Sequence, residues 1–260
     1  MAKEFRRIVV KIGTNALMVQ GKISKGIIRD LARQLSLLSK RGMQVILVTS
    51  GAIGFGIEKL GVGFPKETVS RQAMAAIGQS ALMHYYEEAF SEHGQIIGQV
   101  LLTHSSFTDP DSFSSLRGAM EKLLELRAIP IINENDVVSR EALTAEKAFA
   151  DNDGLAALLA VSFAADLLVI LTDVDGIYTE NPKENRNAKK VQDIRKVLEG
   201  EVMIGKKSDY GIGGMKSKIM AVKAVLDHHI SVAVCQPKES AVLEAASGKS
   251  SGSFFSCDDK

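Results

Sequence analysis

The chain has no tryptophan and only two cysteines, Cys235 and Cys257, in 260 residues. Two thiols so far apart in sequence form neither a disulfide framework nor a CxxC metal site, so a reducing compartment and a cytoplasmic location are expected. Charge of one sign is also missing. The 32 basic and 31 acidic residues leave a formal charge of +1, which gives no footprint for nucleic acid or for an acidic membrane surface. The opening MAKEFRRIVVKIG offers only Ile8, Val9 and Val10 between charges, too little for a signal-peptide core. One apolar run, Gly154 to Leu171, approaches the ~20 residues of a membrane span. Asp166 interrupts it, and the run reads instead as a buried helix leading into a buried strand. No GxxxxGK[ST], GxGxxG or HExxH motif occurs, which excludes several common phosphate, dinucleotide and zinc sites. Repeats, low-complexity blocks and interdomain linkers are likewise missing.

What is present is alternation. Short apolar runs at 8–10, 45–48, 96–102, 129–132, 167–171 and 232–234 have the length and β-branched content of strands buried on both faces. Between them, 27–38, 70–90, 113–126, 153–163 and 215–226 carry apolar residues at helical spacing. The order predicts an α/β fold: a three-layer αβα sandwich with a mostly parallel central sheet. The polar stretch 172–214 reads as an excursion from that sheet, and Phe254-Phe255 as an added edge strand.

Open α/β sheets bind ligands at the carboxyl ends of their strands, and five junctions there carry polar or small residues. Lys11 ends the first run and Gly13 follows. Thr49-Ser50-Gly51-Ala52 supplies small residues whose backbone N–H groups can meet an anion at a helix start. Asn133-Glu134-Asn135-Asp136 follows the fourth run. Asp151-Asn152-Asp153 opens a helix, where capping accounts for one of the three residues. Thr172-Asp173-Val174-Asp175-Gly176-Ile177-Tyr178 follows the fifth run; its glycine comes too early for a calcium loop. A sixth feature is Gly211-Ile212-Gly213-Gly214-Met215-Lys216-Ser217-Lys218, with glycines and then lysines entering a helix. Lysines in a first helical turn oppose the macrodipole preference, which points to a bound phosphate. His228-His229 sits at a helix end without companion ligands and is read as structural.

Taken together, KIGTNAL (11–17), TSGAIGFG (49–56), RQAMAAIGQSALM (71–83), NENDVVS (133–139), FADNDGLAA (149–157), TDVDGIY (172–178) and GGMKSK (213–218) resemble the bacterial glutamate 5-kinases over nearly the whole chain. TDVDGIY alone is similar to a segment shared across the wider amino-acid kinase superfamily. The resemblance implies transfer of a phosphoryl group from MgATP to the side-chain carboxylate of L-glutamate, the first step of proline biosynthesis. It implies one amino-acid kinase domain over 1–260, mainly substrate-binding in its N-terminal part and mainly nucleotide-binding from about residue 165. Ser50, Gly51, Ala52, Asp136 and Asn152 would hold glutamate. Lys11, Thr172, Asp173, Tyr178 and the segment Gly211, Ile212, Gly213, Gly214, Met215, Lys216, Ser217 and Lys218 would meet ATP. Lys11, Lys218 and Asp153 would be catalytic, with Mg²⁺ carried mainly by ATP and no metal site of the protein's own. A homo-oligomer inhibited by proline is implied too. Many relatives have threonine where Ile212 stands, and many continue into a C-terminal domain resembling an RNA-modification module that this chain is too short to contain.

The chemistry fits without the resemblance. A carboxylate acceptor is already ionised at neutral pH, so it needs no general base. It does need its charge, and that of the phosphate it approaches, neutralised and aligned. A kinase of the same fold acting on acetylglutamate, aspartate or a nucleoside monophosphate is the first alternative, and a nonenzymatic amino-acid or nucleotide sensor the second.

Overall fold

The computed structural model describes residues 5–20, 22–138, 151–180, 182, 185–198 and 214–257. The chain opens with β1 (Arg7–Ile12), a one-turn helix α1 (Thr14–Leu17) and a small hairpin of β2 (Met18–Val19) and β3 (Lys22–Ile23). Next come α2 (Lys25–Lys40), β4 (Gln44–Val48), α3 (Ala52–Leu60), α4 (Thr68–Ser91), β5 (Ile97–Leu102), α5 (Ser105–Thr108), α6 (Pro110–Glu125) and β6 (Ile129–Glu134). The remainder comprises α7 (Asn152–Ser162), β7 (Leu167–Leu171), α8 (Ile194–Leu198), α9 (Met215–Leu226), β8 (Ser231–Cys235), α10 (Ala241–Ala246) and β9 (Ser253–Phe255).

Among the described residues, seven strands form one sheet in the order β5-β6-β4-β1-β7-β8-β9, parallel except for the edge strand β9. The buried strands are runs of Val, Ile and Leu because both faces are covered. Alternation along them separates two cores. Ile8, Val10 and Leu47 point to the side of α2, α4 and α10, whereas Val9, Ile46 and Val48 point to the side of α6, α7 and α9. Right-handed crossovers produce this division: connections that move toward β5 lie on one face and those that move toward β8 lie on the other. The sheet reverses its winding direction at β1 and β7, neighbours separated by most of the chain.

Local chemistry sets the ends. The Ser24 side chain accepts from Ile27 N at the start of α2, and Asp109, followed by Pro110, accepts from Ser112 N at the start of α6. The expected strands and helices are all found, with β6 running two residues further than its apolar pattern, through Asn133 and Glu134. Residues 154–171 divide into α7 and β7, and no described helix is long and apolar enough to cross a membrane.

The helices α3 and α4 approach until backbone meets backbone. A Cβ on Gly78 would lie 1.8 Å from the Ala52 carbonyl oxygen, and one on Gly56 would lie 2.0 Å from that of Met74. We expect Gly78→Ala to destabilise the protein by about 1–3 kcal/mol in urea denaturation through overpacking. Gly118→Ala, in α6 with open space around it, should instead stabilise by about 0.5–1 kcal/mol.

Candidate active site

Residues distant in sequence meet where the parallel strands end. Lys11 lies one residue before the end of β1, and strand alternation turns its side chain to the face of Val9, which α7 and α9 cover. Asp153 stands in the first turn of α7, and Lys218 in the first turn of α9. The Lys11 Nζ lies 2.6 Å from Asp153 Oδ1, a close ion pair outside hydrogen-bond alignment, and Lys218 Nζ donates to Asp153 Oδ2 at 3.0 Å. All three residues are buried, with Asp153 only 1 % exposed. Burial drives the Asp153 carboxyl upward, but the Lys11 ammonium and then that of Lys218 outweigh it and hold the carboxyl below its usual range. These three residues bring two ammonium groups to one carboxylate in a region of low dielectric, an arrangement suited to an approaching anion.

The cap of α7 separates the roles within Asp151-Asn152-Asp153. Asp151 is the N-cap, accepting from Gly154 N at 3.0 Å, and its other oxygen accepts from Ser217 Oγ of α9. Asn152 turns toward the other half of the site, where its Nδ2 donates to Thr49 O at 2.8 Å, Ser50 Oγ at 2.6 Å and Asn133 Oδ1 at 3.3 Å. Adjacent α7 residues thus join β4 and β6 to the lysine cluster. Gly51, directly after Ser50, is the N-cap of α3, whose first residue is Ala52. Asp136 follows β6 and is partly buried; burial, and beyond it the Glu134 carboxylate, push its carboxyl up to about 6.

Across β1, Thr172 is buried at the end of β7 and its hydroxyl donates to Asp173 Oδ1 at 3.3 Å. The Tyr178 hydroxyl donates to Asp175 at 2.7 Å, and Tyr178 N–H points at Met215 Sδ at 3.5 Å, tying this turn to the start of α9. Gly176 is required here: a Cβ would sit 2.6 Å from Lys190 Cε and from Ser253 Oγ. Gly214 is the backbone cap of α9 without a side-chain partner. Lys216 is exposed while Lys218 is buried, so the two lysines of this turn face different surroundings. Gly211, Ile212 and Gly213 lie outside the described residues.

Sequence reading overlooked Tyr86 and Gln79, both on α4. Tyr86 is fully buried with its hydroxyl 2.8 Å from Thr49 Oγ1, and burial raises its pKa. Gln79 accepts from Asn133 Nδ2 at 2.9 Å. The available signal was a helix of otherwise apolar spacing carrying polar residues on its inner face. A match to the serine-hydrolase elbow, Gly248-Lys249-Ser250-Ser251-Gly252, lies between α10 and β9 instead of between a strand and a helix, which leaves it no nucleophile geometry.

A model of the amino acid kinase family matches residues 6–236. The chain belongs to the amino acid kinase family. It is 39% identical over 258 residues to a glutamate 5-kinase of Enterococcus faecalis, covering 97% of this chain and 95% of that protein. It is 40% identical over 264 residues to a glutamate 5-kinase of Methanosarcina barkeri, covering 97% of this chain and 68% of that protein. Among solved structures, the carbamate kinase from Giardia lamblia bound to AMP-PNP aligns with TM-score 0.66 at 16% identity, over 96% of this chain and 98% of that one. The UMP kinase from Ureaplasma parvum aligns with TM-score 0.59 at 19% identity, over 96% and 98% of the two chains. These two establish the family's fold for the mostly parallel sheet seen here.

Removing one partner from a buried ion cluster leaves the others uncompensated. Asp153→Asn should therefore cost about 3–5 kcal/mol in urea denaturation at pH 7. Since the native carboxyl is held low, its contribution is complete above the ordinary value of about 4 and is lost as pH falls through the lowered one. The variant should accordingly lose less stability than the wild type on acidification below pH ~4.

Proposed function

We propose that this chain transfers the terminal phosphoryl group of MgATP to the side-chain carboxylate of L-glutamate, producing L-glutamyl 5-phosphate for proline synthesis. The observation that carries the phosphoryl-transfer reading is the buried convergence of Lys11 and Lys218 on Asp153. The choice of glutamate draws its support from the two relatives named glutamate 5-kinase.

In this reading Lys11 and Lys218 contact the transferring phosphate and offset the charge that builds as an anionic oxygen attacks it. Asp153 fixes both ammonium groups in place before substrate arrives, so little reorganisation accompanies the reaction. Ser50, Gly51, Ala52 and Asn152 hold glutamate, and Asp136 receives its ammonium group. Thr172, Asp173 and Tyr178 take the nucleotide together with residues 211–218, from Gly211, Ile212, Gly213 and Gly214 to Met215, Lys216, Ser217 and Lys218. The N-terminal part thus serves mainly the acceptor and the part from about residue 165 mainly ATP. Both Asp153 oxygens already face ammonium groups, so Mg²⁺ is assigned to the ATP phosphates as part of the substrate. Proline, which shares glutamate's α-carboxylate and amino group, is the proposed feedback ligand. A homo-oligomer in the cytoplasm completes the proposal.

Hydroxylamine trapping tests the reaction, because an acyl phosphate gives a hydroxamate. Glutamate with MgATP should produce one, and no product from glutamate would reject the assignment. Lys218→Ala should lower kcat by about 10²–10³. Since Asp136 titrates near 6, the KM for glutamate should rise as pH falls below that value and the carboxylate is protonated. Asp136→Asn should raise that KM at pH 7 while slightly stabilising the fold, because a carboxyl raised by burial costs stability when ionised.

A further inference from the structure

The acceptor half of the site contains a chain of carboxamides whose orientation is fixed from one end. Glu134 N–H donates to Asn133 Oδ1 at 2.9 Å, and Asn152 Nδ2 reaches the same oxygen at 3.3 Å. A backbone N–H can only donate, so this end of the Asn133 amide must be its oxygen. Its Nδ2 therefore faces away and donates to Gln79 Oε1 at 2.9 Å. That fixes the second amide as well: Gln79 must present its Nε2 at the opposite corner. This nitrogen is buried and has no partner among the described residues. Leaving two N–H donors in that condition is costly unless something else accepts from them.

The location indicates what that acceptor is. Alternation along β6 turns Asn133 to the same face as Ile129 and Ile131, the side of α4. Gln79 follows Gly78, whose missing side chain lets α4 rest on the Ala52 carbonyl, immediately after Ser50 and Gly51. One carboxamide, that of Asn133, therefore links Gln79 to the Asn152 amide that holds Ser50. A pair of N–H donors suits a group that only accepts, and a carboxylate is such a group.

We propose that Gln79 is a specificity-determining residue of the acceptor site, its Nε2 donating to a carboxylate of the bound acceptor while its Oε1 positions Asn133. This rests on the carboxylate-acceptor reading given above. The two functions of the amide separate chemically. Gln79→Glu retains an oxygen for Asn133 Nδ2 but replaces the donor with a negatively charged acceptor that repels the substrate carboxylate.

Steady-state kinetics with L-glutamate and MgATP provide the test. Gln79→Glu should raise the KM for glutamate by about tenfold or more, with the KM for MgATP changed by no more than about twofold. Its urea midpoint should fall, because the carboxylate oxygen that replaces Nε2 is buried without a donor among the described residues, and the kinetic comparison is made on the folded protein. A glutamate KM within about twofold of the wild type would overturn the proposal. If Gln79→Glu does not fold, Gln79→Met, of similar length but without donor or oxygen, is compared with Asn133→Leu, which removes the positioning contact: a glutamate KM raised no further by Gln79→Met than by Asn133→Leu overturns the proposal. Wild-type turnover separates the two claims: no product from glutamate removes the acceptor reading, whereas normal turnover with an unchanged variant KM removes only the role of Gln79.

Discussion

Two ammonium groups share one carboxylate in the interior of this protein, and most of the surrounding architecture is needed to keep them there. Asp153 compensates only one of the two charges of Lys11 and Lys218. Burying charged groups at this depth costs folding free energy, because desolvation is expensive. In the proposed reaction that cost serves catalysis: the field is in place before a polyanion arrives, so less solvent has to reorganise during transfer.

The sheet makes that convergence possible. Lys11 and Lys218 are separated by most of the chain, yet β1 lies beside β7 at the point where the winding reverses, and α7 and α9 pack on the same face there. Consecutive residues of α7 then serve two neighbourhoods. Asp153 points to the lysines, and Asn152 points to β4 and β6. A shift of α7 would disturb both at once, which couples the surroundings of Ser50 to the two lysines through a single helical turn. The close contact of α3 with α4, sustained by Gly56 and Gly78, anchors the neighbourhood of Ser50 from the other face.

Much of this was legible in the string. Strongly apolar β-branched runs and helical spacing located every strand and helix expected, and α9 matches its predicted span of 215–226. Lys218 stood out because a lysine in a helical first turn opposes the macrodipole preference, Lys11 because a charge ends a buried strand, and Asp153 because capping accounts for one residue of Asp151-Asn152-Asp153 and not for three. What stayed hidden depended on three-dimensional pairing. The short hairpin and α3 lack the length for a clear periodic signal. Lys216 and Lys218 look alike in sequence, and only the helix face makes one exposed and the other buried. Gln79 and Tyr86 sit within an ordinary amphipathic pattern, and their partners Asn133 and Thr49 lie on other elements. No spacing rule identifies such pairs.

The central claim is that Lys11 and Lys218 act as one unit on one phosphoryl group. A double-mutant cycle on kcat with Lys11→Ala, Lys218→Ala and the double variant, each verified as folded, tests it most directly. The account predicts strong non-additivity, with the double variant losing little more than the worse single variant. Fully additive losses, or a folded single variant with unimpaired turnover, would contradict it.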